Sequence, residues 1–137
     1  MRPGENQKAG PITEFLVKDH GRLEALLRLA VAQVGSVDQG AYDQFRAGLL
    51  RHIGMEEKIL LPVAQRLRGG EPLSIAAKLR LDHGAIASLL MPPPTAAVIA
   101  TIRAVLKVHN TIEEGPGGLY ETCDELAASE AAQLLAK

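Results

Sequence analysis

Apolar residues recur at steps of three and four along four long stretches of this chain, with polar residues between them. This period is typical of amphipathic α-helices that turn one face toward a core. The predicted core-facing positions are Leu16, Leu23, Leu27 and Val34 in the first stretch; Leu49, Ile53, Leu60, Val63 and Leu67 in the second; Ala76, Leu79, Ile86 and Leu90 in the third; and Val98, Ile102, Val105 and Ile112 in the fourth.

Glycine- and proline-rich segments separate these stretches and set the predicted helix boundaries. We expect long helices over residues 11–34, 41–68, 72–91 and 96–114, with Thr95 as an N-cap, and a shorter helix over residues 119–135. Short connections make consecutive helices antiparallel neighbours. The predicted fold is therefore an all-α, up-down-up-down four-helix bundle with a short additional C-terminal helix. Residues 1–10 are expected to be a flexible tail, and residues 11–137 to form one domain.

The amino-acid composition agrees with a helical domain and argues against several classes of binding partner. Aromatic residues make up only 3% of the 137 residues, and Ala and Leu dominate, which favours packed helices over sheet. A net charge of −1 without a basic stripe argues against nucleic acid. The single cysteine, Cys123, allows neither an internal disulfide nor a thiolate metal cluster. Without an apolar run of roughly 20 residues or a signal-peptide pattern, we expect no membrane association and a cytoplasmic location.

A pattern of polar residues occurs twice on the apolar faces of these helices. Each copy begins with Asp-His-Gly, at residues 19–21 and 82–84, and continues with His-x-x-x-Glu-Glu, at residues 52–57 and 109–114. The two copies contain all four histidines of the chain. The first histidine of each copy lies between apolar core positions, and the second shares a helix face with the glutamate four residues later.

Glu56 and Glu113 are the residues that demand an explanation, because a carboxylate on an apolar face is costly unless it is paired or metal-bound. Converging with four imidazoles, they predict a site for two metal ions, each held by two histidines and bridged by both glutamates. Imidazole and carboxylate without thiolate suit iron or manganese, with zinc as an alternative. The predicted metal ligands are His20, His52, Glu56, His83, His109 and Glu113.

The order His, His-x-x-x-Glu, His, His-x-x-x-Glu over four helices resembles the hemerythrin-like, or HHE cation-binding, domain family across about residues 11–126. The resemblance implies a non-haem di-iron centre with the four histidines as terminal ligands and Glu56 and Glu113 as bridges. Oxygen-carrying members of that family have a fifth histidine one turn away on the third helix. Here Ala87 and Leu79 lie one turn after and before His83. We therefore expect an open position on one metal, for water, hydroxide or an exogenous ligand.

Four further acidic residues lie directly beside predicted ligands in the sequence. Glu57 and Glu114 point about 100° away from the metal-facing glutamates and are expected to be solvated surface charges. Asp19 and Asp82 fit either hydrogen-bond partners of an imidazole or surface residues.

The sequence also predicts roles for two repeated glycines, for the break after Glu114, and for Tyr120 and Cys123. Gly21 and Gly84, which are unfavourable within a helix, suggest close helix approach or access for a small ligand. The break after Glu114 suggests a looser second His–Glu pair. Tyr120 is expected to pack in the core rather than to bind iron, and Cys123 to be a buried, inert thiol.

Three classes of function fit this sequence. The first is a di-iron protein that binds dioxygen or another diatomic molecule, or senses iron or redox state. The second is a di-iron oxidoreductase acting on peroxide, nitric oxide or ferrous iron. The third is a structural bundle whose site is empty or holds zinc. Nothing in the sequence identifies an organic substrate pocket, so we rank small-ligand binding first; the sequence does not indicate a protein partner or an oligomeric state.

Overall fold

The computed structural model describes residues 10–126 and 128, and every regular element in this part of the chain is helical. The predicted all-α bundle with an additional C-terminal helix is confirmed. In chain order, the elements are α1 (Pro11–Ala30), α2 (Gln39–Met55), a π-helical segment (Glu56–Leu60), α3 (Leu61–Leu67), α4 (Ala76–Leu89), α5 (Ala96–Glu114) and α6 (Leu119–Leu126). None of these helices is long and apolar enough to cross a membrane.

The apolar core consists of two clusters, and the histidines lie between them. On α1, Leu16 belongs to one cluster and Leu23 to the other, with His20 between the two. The other long helices repeat this division, with a buried histidine between residues of the two clusters: His52 on α2, His83 on α4 and His109 on α5. A polar layer therefore crosses the middle of an otherwise apolar bundle.

The helix ends differ most from the predicted ones in two places. α1 ends at Ala30, because the backbone N–H of Asp38 donates to the Ala30 carbonyl and the chain turns through Gly35, whose φ is 83°. Val34 is consequently fully exposed, and its prediction as a core residue was wrong. α4 begins at Ala76 rather than at residue 72. Thr95 caps α5 as predicted, by accepting a hydrogen bond from the Val98 N–H at 3.1 Å.

The second predicted helix is not uniformly α-helical. Across Glu56–Leu60 it widens into a π-helical segment, and the Leu61 N–H donates to the Glu56 carbonyl five residues earlier. Pro62 supplies a physical reason, because a proline has no N–H and its ring crowds the carbonyl four residues before it. That carbonyl belongs to Lys58, inside the π-helical segment. Such segments are frequent at functional sites.

A tight turn over residues 115–118 joins α5 to α6. Gly117 has a φ of 73°. A Cβ atom on Gly118 would lie 2.7 Å from the Glu113 carbonyl oxygen and closer still to that of Ile112, so only glycine fits there. α6 then packs against α1 and α5.

Asp124 fastens α6 to the beginning of α1. Its carboxylate accepts hydrogen bonds from the N–H groups of Ile12 and Thr13, each at 3.0 Å. It thereby caps a helix whose own N-cap residue, Gly10, has no side chain to do so. Both predicted terminal segments, residues 1–10 and the end of the helix over 119–135, fall largely outside the described residues.

Candidate metal centre

The six side chains predicted as metal ligands lie together in the polar layer of the bundle. All are buried, and Glu56 and Glu113 are 0% exposed. They form two overlapping groups, in each of which the potential ligand atoms lie within 4.8 Å of one another. The first group contains His20, His52, Glu56 and Glu113, and the second contains Glu56, His83, His109 and Glu113.

Each glutamate presents one carboxylate oxygen to each group. Glu56 Oε2 lies 3.2 Å from His52 Nε2 in the first group, and Glu56 Oε1 lies 3.1 Å from His83 Nε2 in the second. Glu113 Oε1 lies 3.4 Å from His20 Nε2, and Glu113 Oε2 lies 2.9 Å from His109 Nε2. The two carboxylates are thus shared between the two histidine pairs.

Asp19 and Asp82, whose roles the sequence left open, are hydrogen-bond partners of the imidazoles. His52 Nδ1 donates to Asp19 at 2.7 Å, and His109 Nδ1 donates to Asp82 at 3.1 Å. Each bond connects the aspartate and the second histidine of the same half of the chain. Burial raises the pKa of Asp19, but the hydrogen bonds from His52 and Arg22 outweigh it and leave the pKa below its usual value.

Glu57 and Glu114 hold the other two imidazoles, so their prediction as solvated surface charges was wrong. His83 Nδ1 donates to Glu57 at 2.7 Å, and His20 Nδ1 donates to Glu114. The glutamate side chains are 35% and 32% exposed, so each connects a buried ring to the surface. Both bonds join one half of the chain to the other. Sequence reasoning missed them because a position off the apolar face says nothing about the neighbouring helix.

These four outer carboxylates fix which imidazole nitrogen faces inward. A neutral imidazole has one N–H, and where Nδ1 carries it, Nε2 presents a lone pair. All four rings have Nδ1 on an outer carboxylate and Nε2 directed into the centre. His83 Nε2 and His109 Nε2 lie only 3.1 Å apart. Lone pairs this close repel unless positive charge lies between them, and hydrogen-bonded carboxylates are the partners typical of metal-binding histidines.

One buried oxygen at the centre has no hydrogen-bond partner among the described residues. Glu56 Oε1 is inaccessible to solvent, and its 3.1 Å contact with His83 Nε2 is not a hydrogen bond. An unpaired carboxylate oxygen in the core is costly. Together with the four inward Nε2 atoms, it gives the two groups a donor set that fits cations.

The electrostatics of the centre favour positive charge beside the two glutamates. Burial lowers the pKa of His83, but the carboxylates of Glu113, Glu56 and Glu57 around the ring outweigh this and raise it to about 10. Burial raises the pKa of Glu113, but the adjacent imidazoles, that of His109 foremost, hold it well below its usual range. The centre is therefore built to keep its carboxylates ionised next to cationic groups.

Tyr120 is a site residue whose contacts the sequence did not reveal. It packs in an apolar cluster, as predicted, but its hydroxyl reaches the first group. Tyr120 Oη lies 2.9 Å from His20 Nε2, 3.0 Å from His52 Nε2 and 3.0 Å from Glu113 Oε1, and it donates to Glu56. Burial and the carboxylates of Glu56 and Glu113 raise the pKa of Tyr120.

The second group has no fifth donor among residues 10–126 and 128. The position one turn before His83 is Leu79, a fully buried residue of the apolar core, and the position one turn after it is Ala87. Nor is the second His–Glu pair loosened by the helix end. His109 and Glu113 are 2.9 Å apart, compared with 3.2 Å for His52 and Glu56.

The two repeated glycines do not mediate close helix packing, since a Cβ atom on Gly21 or Gly84 would meet nothing within 4 Å. Gly21 instead lines an open groove of about 590 Å³ between α1 and α5, in which His20 and Glu114 also lie. Cys123 is buried, and burial together with the Asp124 and Glu56 carboxylates raises its pKa to about 12, as expected of an inert thiol.

Comparison with known proteins agrees with this geometry. The hemerythrin HHE cation-binding domain family matches residues 11–128. Searches of curated proteins and of solved structures gave no significant match. Since the family match spans most of the described bundle and includes every residue of the two groups, the chain belongs to the hemerythrin HHE cation-binding domain family.

Proposed function

We propose that this protein binds two iron ions in a carboxylate-bridged centre and uses that centre to bind or sense a small ligand, such as dioxygen or another diatomic molecule. The observation that carries the proposal is the sharing of Glu56 and Glu113 between two histidine pairs. Bridging carboxylates have this arrangement in two-metal sites. The proposed ligands are His20, His52, Glu56, His83, His109 and Glu113.

The charges around the centre suit two divalent cations. Six carboxylates surround the four imidazoles, and among the described residues two of the six are paired with basic side chains: Asp19 with Arg22, and Asp82 with Lys78. The four negative charges that remain equal the charge of two divalent ions. Imidazole and carboxylate donors favour iron or manganese, and zinc is the alternative.

The role proposed for the chain is to hold, orient and isolate the centre. The outer carboxylates hold each imidazole in the tautomer that binds metal. The apolar clusters on both sides limit water at the centre. Bound iron would supply redox chemistry and a position for an exogenous ligand. The second group is the candidate for that position, because the Tyr120 hydroxyl contacts the histidines of the first group.

Metal content tests this proposal most directly. Protein expressed with added iron and purified without chelators should contain close to two irons per chain. Glu14→Gln, which alters an exposed carboxylate on α1, is the control and should retain both. Zero metal, or a single zinc, would contradict the dinuclear iron centre. In the loaded protein, reversible oxygen uptake supports ligand binding, whereas multiple turnover with peroxide would favour an oxidoreductase.

A further inference from the structure

We propose that Tyr120 is a fifth protein ligand in the first group, and that this leaves the exogenous ligand to the second group. The inference rests on the proposed dinuclear centre and goes beyond it, because it assigns a tyrosine oxygen to one cation and makes the two positions unequal. The observation behind it is the placement of one buried hydroxyl within hydrogen-bonding distance of four site residues.

The spacing around Tyr120 Oη is that of neighbouring ligands on one ion. Metal–nitrogen and metal–oxygen bonds of roughly 2.0–2.2 Å place ligands at right angles about 3 Å apart. Tyr120 Oη lies 2.9 Å from His20 Nε2, 3.0 Å from His52 Nε2 and 3.0 Å from Glu113 Oε1. The hydroxyl oxygen therefore occupies one corner of a coordination shell whose other corners belong to the first group.

Hydrogen bonding alone does not satisfy these contacts. A phenol has one hydrogen to donate, and the contact with Glu56 uses it. In the neutral rings that bind metal, His20 Nε2 and His52 Nε2 have lone pairs, because each ring then carries its one hydrogen on Nδ1 and donates it to an outer carboxylate. Tyr120 Oη would thus face two lone pairs and a second carboxylate oxygen across about 3 Å without a proton to share. A cation among these atoms converts repulsion into coordination.

The fold holds Tyr120 in place before any metal binds. The tight approach of Gly118 to the end of α5 fixes the start of α6, and Asp124 fixes its far end to α1. The Tyr120 ring is 0% exposed. A donor held this rigidly costs little ordering entropy when it binds.

Coordination exchanges the O–H bond of Tyr120 for a bond from oxygen to metal. The proton passes to the buffer, and no electron is transferred. A phenolate bound to ferric iron absorbs visible light by charge transfer from the ring, and excitation in that band enhances the tyrosine ring modes in resonance Raman spectra. The spectroscopic signature is therefore independent of any activity.

The chain offers a matched control, because it has only two tyrosines. Tyr42 is also buried, lies in the other apolar cluster, and its hydroxyl has no hydrogen-bond partner among the described residues. Ferric-loaded wild type and Tyr42→Phe should both show the visible band with tyrosine ring modes. Tyr120→Phe should lose both features while retaining iron.

Metal content, measured on the same samples, separates this inference from the proposed function. Two irons per chain without tyrosine ring modes in the wild type would leave the dinuclear centre standing and overturn the ligand role of Tyr120. Ring modes that persist in Tyr120→Phe would overturn it as well. Should Tyr120→Phe fail to retain iron, the spectra of wild type and Tyr42→Phe still test whether Tyr120 is a ligand. Ring modes lost in Tyr42→Phe would contradict the assignment, and ring modes kept there would support it.

Discussion

The two halves of the bundle surround the centre with the same residue types but continue differently beyond it. In the first half, the helix widens into the π-helical segment after His52 and runs on as α3. In the second half, α5 remains α-helical through Glu113, ends one residue later, and the chain turns back into α6. Only the second continuation brings a further polar side chain, Tyr120, to the centre within the described residues.

This difference shows which features of the site the repeated pattern determines and which depend on the segments that follow it. The repeat supplies two imidazoles and one carboxylate from each half, and these six side chains converge despite the unlike helix geometry around them. The segments that follow the repeat are unequal, and they decide which group has a fifth oxygen nearby. A nearly symmetric set of donors can therefore become a centre with two unequal positions.

Removing a shared glutamate should have the largest effect. It tests whether the two halves contribute equally to the centre. Glu113→Ala and Glu56→Ala should each lose at least one metal equivalent, because each carboxylate faces both groups. Metals that bind only the folded state stabilise it by about 4 kcal/mol at a thousandfold excess over Kd, so the melting temperature should also fall. Metal analysis and thermal unfolding measure both effects. Full metal content with unchanged melting in either variant would remove that residue from the proposed site.

The turn that distinguishes the second half should be the next most sensitive feature. Gly118→Ala places a methyl group against the carbonyls of Ile112 and Glu113 and should cost roughly 1–3 kcal/mol of unfolding free energy. Gly84→Ala is the matched control, because its methyl group meets only open space and should stabilise the helix by roughly 0.5–1 kcal/mol. Urea unfolding of both variants measures the difference, and equal stabilities would show that the turn tolerates a side chain.

Substitutions of the outer carboxylates test hydrogen bonds within one half of the chain against those between the halves. Asp82→Asn weakens a bond within the second half, and Glu57→Gln weakens one between the halves. Removing such a partner of a metal-binding histidine typically costs 10- to 100-fold in metal affinity. We expect both variants to fall in that range in competition with a chelator. An unchanged affinity in Glu57→Gln would show that its bond to His83 does not contribute to metal binding.

The smallest expected effect concerns the groove on one side of the bundle. Gly21→Phe should partly fill the groove beside His20 and Glu114 and slow metal uptake without changing the final metal content. Gly84→Phe occupies the corresponding position of the second half, which is also exposed, and should leave the uptake rate unchanged. Stopped-flow mixing of metal-free protein with ferrous iron measures both rates. Identical rates would show that iron enters by another path.

Sequence reasoning predicted the helices and the six converging side chains because both depend on the helical period along one chain. The contacts of Glu57, Glu114 and Tyr120 depend on how neighbouring helices are placed and on a turn that has space only for glycine. Spacing within a helix contains no information about either. Pro62 was the available signal for the π-helical segment, although its position alone does not tell a widened turn from a kink.

The bonds between Glu57 and His83 and between Glu114 and His20 make each half of the chain depend on the other. The last glutamate of each half accepts a hydrogen bond from the first histidine of the other half. A half-length chain with a single copy of the pattern would have one ring without its carboxylate and one glutamate without its ring. It would complete the constellation only by pairing with a second copy about a two-fold axis. Neither half therefore fixes both of its rings alone, and the site depends on the two copies of the pattern folding together.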